Sequence, residues 1–236
     1  MADLSDLKKS LGFSAADRFV KDGMRLGLGT GTTAIWAVRR VAERLAEGSL
    51  REITAVVTSL QTELEACALG IPVVTLNNWS LKGELDLTID GADEVDESFN
   101  LIKGGGGALL MEKVVAYVSR RFLVIVDHTK LSSRLCDHSP VPVEVVTDSL
   151  ETVRKRLREM GGEVSLRMGQ RKAGPVVTDL GNLLLDVTFP EAFDPSRMEA
   201  DIKLIPGVLE NGLFTRNTPE LLVGAANGGL EHRRKA

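Results

Sequence analysis

The chain has 236 residues, 43% of them hydrophobic, 26% charged and 4% aromatic, with a formal net charge of −4. This is ample core material for one large or two modest domains, and an acidic balance with scattered Lys and Arg argues against a nucleic-acid partner. Cys67 and Cys136 lie in unrelated segments without metal-ligand spacing, Met1 to Lys9 lacks an apolar leader, and no apolar window reaches membrane-spanning length; a soluble, reduced, cytoplasmic protein with neither structural metal nor membrane partner is expected.

Leu4, Leu7, Leu11, Ala15, Phe19 and Val20 recur at helical spacing, so residues 5–22 are predicted as an amphipathic helix capped by Ser5 and stopped at Asp22-Gly23. A short strand over 24–28 runs into Gly29-Thr30-Gly31-Thr32-Thr33-Ala34, and a helix over 33–46 follows. Strand, glycine-rich turn and helix make a phosphate cradle, in which backbone N–H groups and Thr hydroxyls converge on a positive helix end. The same glycines fit a relaxed dinucleotide fingerprint, which needs an acidic residue at the end of the second strand to hold a ribose. That strand, 53–57, ends instead in Thr58-Ser59, and no Gly-Lys-Ser/Thr follows the first turn. A small phosphate ester therefore fits better than a nicotinamide cofactor.

A helix over 64–69 and a strand over 71–76 are predicted next, then a strand over 85–89 that delivers Asp90 followed by Gly91. A carboxylate at the carboxyl end of a strand stands where open α/β sheets bind ligands. Asp93 follows closely, and Lys103 precedes four glycines, Gly104 to Gly107, whose bare backbone lets N–H groups approach an anion. A helix over 108–119 places Glu112 in its first two turns. Carboxylates and an ammonium around a bare loop suit proton transfer with charge stabilisation. The apolar run 122–127 is a further strand, ending in Asp127-His128-Thr129-Lys130, where Lys130 is a candidate substrate contact and His128 a loop or packing residue.

Strands and helices alternating in this way predict an α/β fold with a doubly wound, mostly parallel, Rossmann-like sheet. After Pro140 and Pro142 the pattern changes to strands over 143–146, 163–168, 176–178, 182–188 and 208–214, with helices over 150–160 and 195–204. The order β-α-β-β-α-β predicts a smaller, ferredoxin-like α+β domain over residues 137–212. Residues 1–136 and 213–236 would form the α/β domain, with a strand over 221–226 returning to its sheet and His232 to Lys235 as a solvated tail.

The set Gly29-Thr30-Gly31-Thr32-Thr33, Thr58-Ser59, Asp90-Gly91-Ala92-Asp93, Lys103-Gly104-Gly105-Gly106-Gly107-Ala108, Glu112-Lys113, Asp127-x-x-Lys130 and Ile205 to Phe214 resembles the type A ribose-5-phosphate isomerases over nearly the whole chain. The resemblance implies interconversion of D-ribose 5-phosphate and D-ribulose 5-phosphate through an enediol(ate), in the non-oxidative pentose phosphate pathway, by a homodimer or homotetramer. It implies Glu112 as the proton-shuttling base, and Thr30, Gly31, Thr32 and Thr33 as part of the substrate pocket, with Thr32 and Thr33 near the phosphate. Asp90 and Asp93, with Gly91 and Ala92 between them, would meet the sugar hydroxyls and assist ring opening. Lys103 would stabilise the oxyanion beside Gly104, Gly105 and Gly106, Lys130 would bind substrate, and Lys8 would lie near the phosphate. One departure is Met111, where the family usually carries Arg. No cofactor is expected, since a cation and hydrogen-bond donors can stabilise an enediolate without metal. A glutamate base works best with its pKa raised toward neutrality, so Glu112 is expected to be partly desolvated.

Three other readings compete. A non-catalytic sugar-phosphate sensor would not require Asp90, Lys103 and Glu112 together and calls for an attached DNA-binding module. An amino-sugar phosphate deaminase would share only the first domain. A nicotinamide enzyme lacks its ribose-binding acid.

Overall fold

The computed structural model describes residues 3–235. Helix α1 (Leu4–Phe19) is capped by Asp3, whose carboxylate accepts the N–H of Ser5 at 3.0 Å, so the cap lies two residues before the one predicted. Its buried stripe is Leu7, Leu11, Gly12, Ala15, Ala16 and Phe19. Gly12 lets a second helix approach closely, since a Cβ there would stand 2.4 Å from the Cβ of Trp36. Strand β1 (Arg25–Leu28) leads through the Gly29 to Thr33 turn into α2 (Ala34–Ala46), and β2 (Thr54–Val57) leads into α3 (Leu60–Ala68). Helix α3 starts earlier than expected because Ser59 caps it, accepting the Thr62 N–H at 3.2 Å.

Strand β3 (Leu87–Asp90) is followed by two short strands, β4 (Glu94–Val95) and β5 (Leu101–Ile102), then by α4 (Leu109–Tyr117) and β6 (Phe122–Asp127). Beyond a 3-10 turn at His128–Lys130 come β7 (Val141–Val145), α5 (Leu150–Glu159), β8 (Glu163–Leu166), β9 (Leu183–Thr188), α6 (Pro195–Lys203), β10 (Val208–Asn211) and β11 (Leu213–Phe214). Strands β12 (Glu220–Gly224) and β13 (Leu230–Arg233) complete the elements.

Contacts divide the chain into two units. The first comprises the residues up to Ala92, Met111–Lys130 and those from Asn217 onward; the second comprises Asp93–Leu110 and Leu131–Arg216. The expected boundaries at 136/137 and 212/213 had instead assigned residues 93–110 and 131–136 to the α/β domain and 213–216 to its returning segment.

In the first unit six strands lie in the order β13-β12-β6-β3-β1-β2, parallel except for the antiparallel β12–β13 pair. The chain runs from β1 out to β2 and then back to β3 on the other side of β1, which opens a switch point at the carboxyl ends of β1 and β3. Ligands of open α/β sheets bind at such points. Leu26, Leu28, Ile89, Leu123, Ile125 and Leu222 form the sheet's contribution to a core completed by α1 and α2, each at most 1% exposed. Truncating any one of them to Ala would cost about 2–5 kcal/mol.

In the second unit four antiparallel strands lie in the order β10-β7-β9-β8, the ferredoxin-like arrangement of a β-α-β-β-α-β chain. Val143, Val145, Leu185 and Val187 meet Val153, Leu157 and Ile202 of the two helices. A three-stranded sheet, β11-β5-β4, also belongs to this unit.

Four expectations are corrected. Residues 71–76 do not make a strand: only Val73 bridges β2, because Pro72 has no N–H to extend a ladder. Residues 176–178 form an isolated bridge, Val177 to Leu183, rather than a strand. The predicted strand over 208–214 is split between two sheets at Gly212, whose N–H donates to Pro142 O at 2.7 Å. Residues 232–233 are no solvated tail but part of β13, with His232 opposite Leu222 and its ring 5.0 Å from that of Phe19. No helix among the described residues is long and apolar enough to cross a membrane.

Candidate active site

The turn after β1 is built to receive an anion. Gly31 takes a φ of +102°, open to glycine but strained for other residues. The Thr30 hydroxyl is the hub of a hydroxyl cluster, donating to Ser59 Oγ at 2.6 Å and lying 2.7 Å from Thr58 Oγ1 and 3.2 Å from Thr62 Oγ1. Thr62 in turn donates to Gly29 O at 3.0 Å, tying the turn to the start of α3. Thr32 is exposed and Thr33 half-buried at the N-terminus of α2, whose first turn carries no acidic residue to occupy the positive end of the helix. Lys8 of α1 reaches the same place, donating from Nζ to Thr32 Oγ1 at 3.1 Å.

Asp90 closes β3 directly beside this turn. It is 0% exposed, and its Oδ1 accepts the N–H groups of Thr30 at 3.1 Å and Gly91 at 2.8 Å, which fixes the carboxylate against the cradle. Glu112 lies in the first turn of α4 and is 5% exposed, so the expected desolvation is present. Its neighbour Met111 packs with Val56, Leu81, Leu85 and Val115, an apolar setting that suits Met. Lys130 is half-buried in the 3-10 turn after β6, where Asp127 accepts the Thr129 N–H at 3.0 Å and its hydroxyl.

The second unit carries Asp93, Lys103 and the glycine loop. The hairpin of β4 and β5 sets Asp93, whose N–H donates to Ile102 O at 2.8 Å, and its Oδ2 accepts the Gly105 N–H at 2.7 Å. A Cβ on Gly105 would lie 2.6 Å from Asp93 Oδ1, so the loop has to be bare there. Lys103 is 2% exposed, its N–H donating to Gly212 O at 2.9 Å and its ammonium 5.6 Å from the centre of the Phe214 ring. Gly104 is buried, whereas Gly105 and Gly106 are exposed.

Two residues in this region carry no local signal in the sequence. Glu94, fully buried, accepts four backbone N–H groups, from Cys136, Asp137, His138 and Ser139, at 3.0 to 3.2 Å. Arg167 binds the carbonyls of the glycine loop, as described below. Among the described residues no group of three or more His, Cys, Asp or Glu could hold a metal ion.

Residues 54–228 match the model of the family "ribose 5-phosphate isomerase A (phosphoriboisomerase A)". The chain belongs to that family. The ribose-5-phosphate isomerase A of Treponema denticola is 45% identical to it, over 97% of this chain and 99% of that protein. Among solved structures, ribose 5-phosphate isomerase A from Methanocaldococcus jannaschii is 40% identical, with a TM-score of 0.91 over 99% of this chain and 100% of its own. A D-ribose-5-phosphate isomerase solved in complex with phospho-erythronic acid is 38% identical, with a TM-score of 0.93 over the same shares. As a ribose 5-phosphate isomerase A the chain is an aldose–ketose isomerase of the pentose phosphate pathway. Its mixed, mostly parallel six-stranded sheet with smaller antiparallel sheets is the fold of this family.

Proposed function

We propose that the chain binds ribose 5-phosphate with its phosphate in the Thr30 to Thr33 cradle and isomerises it with Glu112 as the base. Lys8, Thr32, Thr33 and the N-terminus of α2 receive the phosphate. Asp90 and Asp93, with Gly91 and Ala92 between them, meet the sugar hydroxyls, and a carboxylate that accepts the proton of the C1 hydroxyl and gives one to the ring oxygen as the C1–O4 bond breaks helps the ring to open. Glu112 then takes the proton from C2. The electron pair moves onto the carbonyl oxygen at C1, where Lys103 and the glycine loop, through the N–H of Gly106, offset the developing charge. Glu112 returns the proton to C1, the O2 proton passes to the O1 oxyanion, and the C2 carbonyl forms, which leaves the ketose. Lys130 holds substrate.

The observation that carries this reading is the presence in one unit of a buried carboxylate on the first turn of α4 and of a fixed carboxylate, Asp90, at the sheet's switch point. The relative bound to phospho-erythronic acid supports it, since that ligand is a phosphorylated acid close in size to a pentose phosphate. We also propose a cytoplasmic homodimer or homotetramer that engages neither nucleic acid nor membrane and needs no cofactor. Sedimentation at micromolar concentration distinguishes these states from a monomer.

The test of the assignment is ketose formation from ribose 5-phosphate by the wild type and by Glu112→Gln. A fall in kcat of at least ~10²-fold is expected for a positioned acid–base group. Near-native turnover in the variant would remove Glu112 from the role.

A further inference from the structure

The glycine loop is held by its own turn, in which the Gly107 N–H donates to Gly104 O at 2.9 Å, by Asp93 on the Gly105 N–H, and by a guanidinium on its carbonyls. Arg167, which follows β8, donates from Nη1 to Gly104 O and to Gly105 O, each at 3.0 Å. Its other edge is engaged by Asp186 of β9, with Nε donating to Oδ2 at 2.9 Å and Nη2 to Oδ1. Four of the five guanidinium hydrogens are thereby used, and the planar fork fixes two consecutive peptides at once. Both side chains are largely buried, at 16% and 19% exposure.

The consequence follows from peptide geometry. The peptide bonds of the glycine loop are trans, so each N–H there points opposite to the carbonyl of the preceding residue. With the Gly104 and Gly105 carbonyls turned to Arg167, the N–H groups of Gly105 and Gly106 point away from it. The first goes to Asp93 Oδ2 at 2.7 Å, and the second belongs to an exposed residue. Glycine peptides rotate easily because no Cβ resists, and Gly104 already has a φ of +99°. A flipped peptide would turn a carbonyl oxygen toward a developing oxyanion, replacing attraction by repulsion.

We propose that Arg167, braced by Asp186, is a positioning residue for the isomerisation, locking the glycine loop so that it presents the Gly106 N–H, rather than a carbonyl, to the enediolate while the Gly105 N–H stays on Asp93. This rests on the reading in which that loop stabilises the oxyanion. Arg167 touches no reacting atom; it acts through the orientation of Gly105 and Gly106.

The test compares the wild type with Arg167→Ala, Arg167→Lys and Asp186→Asn. Steady-state kinetics are measured on ribose 5-phosphate, and glycine amide resonances on the substrate-free proteins. Losing a well-placed oxyanion donor costs about 10²-fold in kcat, so Arg167→Ala is expected to lose about that much, with KM changed by less than about threefold. Added methylguanidinium is expected to restore part of the loss. Arg167→Lys cannot bridge two carbonyls and a carboxylate together and is expected to stay impaired. The Gly105 and Gly106 amide resonances should move in each variant. Unchanged kcat, a loss confined to KM, or unmoved glycine amides would each overturn the proposal. Should Arg167→Ala not fold, the Lys and Asn variants decide by the same criteria. Failure of the proposed function itself is distinguishable: Glu112→Gln would keep its activity, while the amide resonances would still report whether Arg167 sets the peptides.

Discussion

A Cβ on Gly29 would stand 2.1 Å from Asp90 Oδ1 and 2.6 Å from Asp90 Cα. The turn after β1 and the end of β3 are therefore pressed together without room for one methyl group. Gly29→Ala has to displace the carboxylate, its backbone or the strand pairing, and overpacking of this kind costs about 1–3 kcal/mol. The expected result is a folded protein with a lowered melting temperature and, if Asp90 acts as proposed, kcat reduced by ~10²-fold or more, since misplacing a reacting group by 1 Å is enough for that. Native kinetics from Gly29→Ala would show that the position of Asp90 is unimportant.

Glu94 holds the segment 136–139 by four N–H groups, and the Ser139 hydroxyl of that segment donates to Asp93 O at 3.4 Å. Cys136 keeps a φ of +71° there, which a non-glycine residue adopts only when its surroundings enforce it. Glu94→Ala leaves four buried or half-buried donors without their acceptor and is expected to lower the unfolding free energy by about 3 kcal/mol. Urea denaturation measures this directly. A change below about 0.5 kcal/mol would mean that water replaces the carboxylate without loss.

The Lys8 ammonium donates to Thr32 Oγ1, so in the proposed phosphate site its contribution is electrostatic. Lys8→Ala is expected to raise KM for ribose 5-phosphate by about tenfold, on the scale of a charge-assisted hydrogen bond, with kcat nearly unchanged. The effect should weaken with added salt, which screens a partly exposed charge. A fall in kcat at constant KM would contradict a ground-state phosphate contact.

Glu220 at the start of β12 is pulled down to a pKa of about 2, chiefly by its hydrogen bonds from Arg121 and then by those from Arg234 and His232, against the cost of burial. A folded-state value below the ordinary 4.5 stabilises the protein fully above that pH, and the stabilisation is lost as pH falls toward 2. Arg121 and Arg234 are 36% and 63% exposed, so solvent screening reduces the effect to about 1 kcal/mol. Glu220→Gln is therefore expected to be less stable than the wild type at pH 6 and nearly equal to it at pH 2.5. Parallel denaturant curves across this range decide the matter, and a gap of constant size would refute the linkage.

The strands of the parallel sheet were legible because they are short apolar runs between punctuating glycines and carboxylates; β6 occupies Phe122–Asp127, the run its composition marks out. The residues gathered at the switch point were legible for the same reason, since Gly29 and Asp90 follow or end such runs. What escaped depends on partners distant in sequence. The residues of β13 look like a charged tail until Glu220 and Phe19 supply a place for His232. Nothing near Arg167 announces that its guanidinium reaches back to Gly104 and Gly105, and Glu94 looks like one more acid in an acidic loop. Gly212 broke a run that composition reads as one strand, because its N–H is claimed by Pro142 and a Cβ there would meet Lys103 O at 2.3 Å.

The position of β12 in the sheet has a consequence for synthesis on the ribosome. Strand β6 is buried along its whole length and pairs on one side with β3 and on the other with β12. Every residue of the second unit, through Arg216, is translated before β12 begins at Glu220. Until then the apolar edge of β6 is an open template of the kind that recruits foreign strands and chaperones. The unit whose first residues emerge earliest is thus the one that has to wait, and the unit encoded inside it has all its segments in hand first.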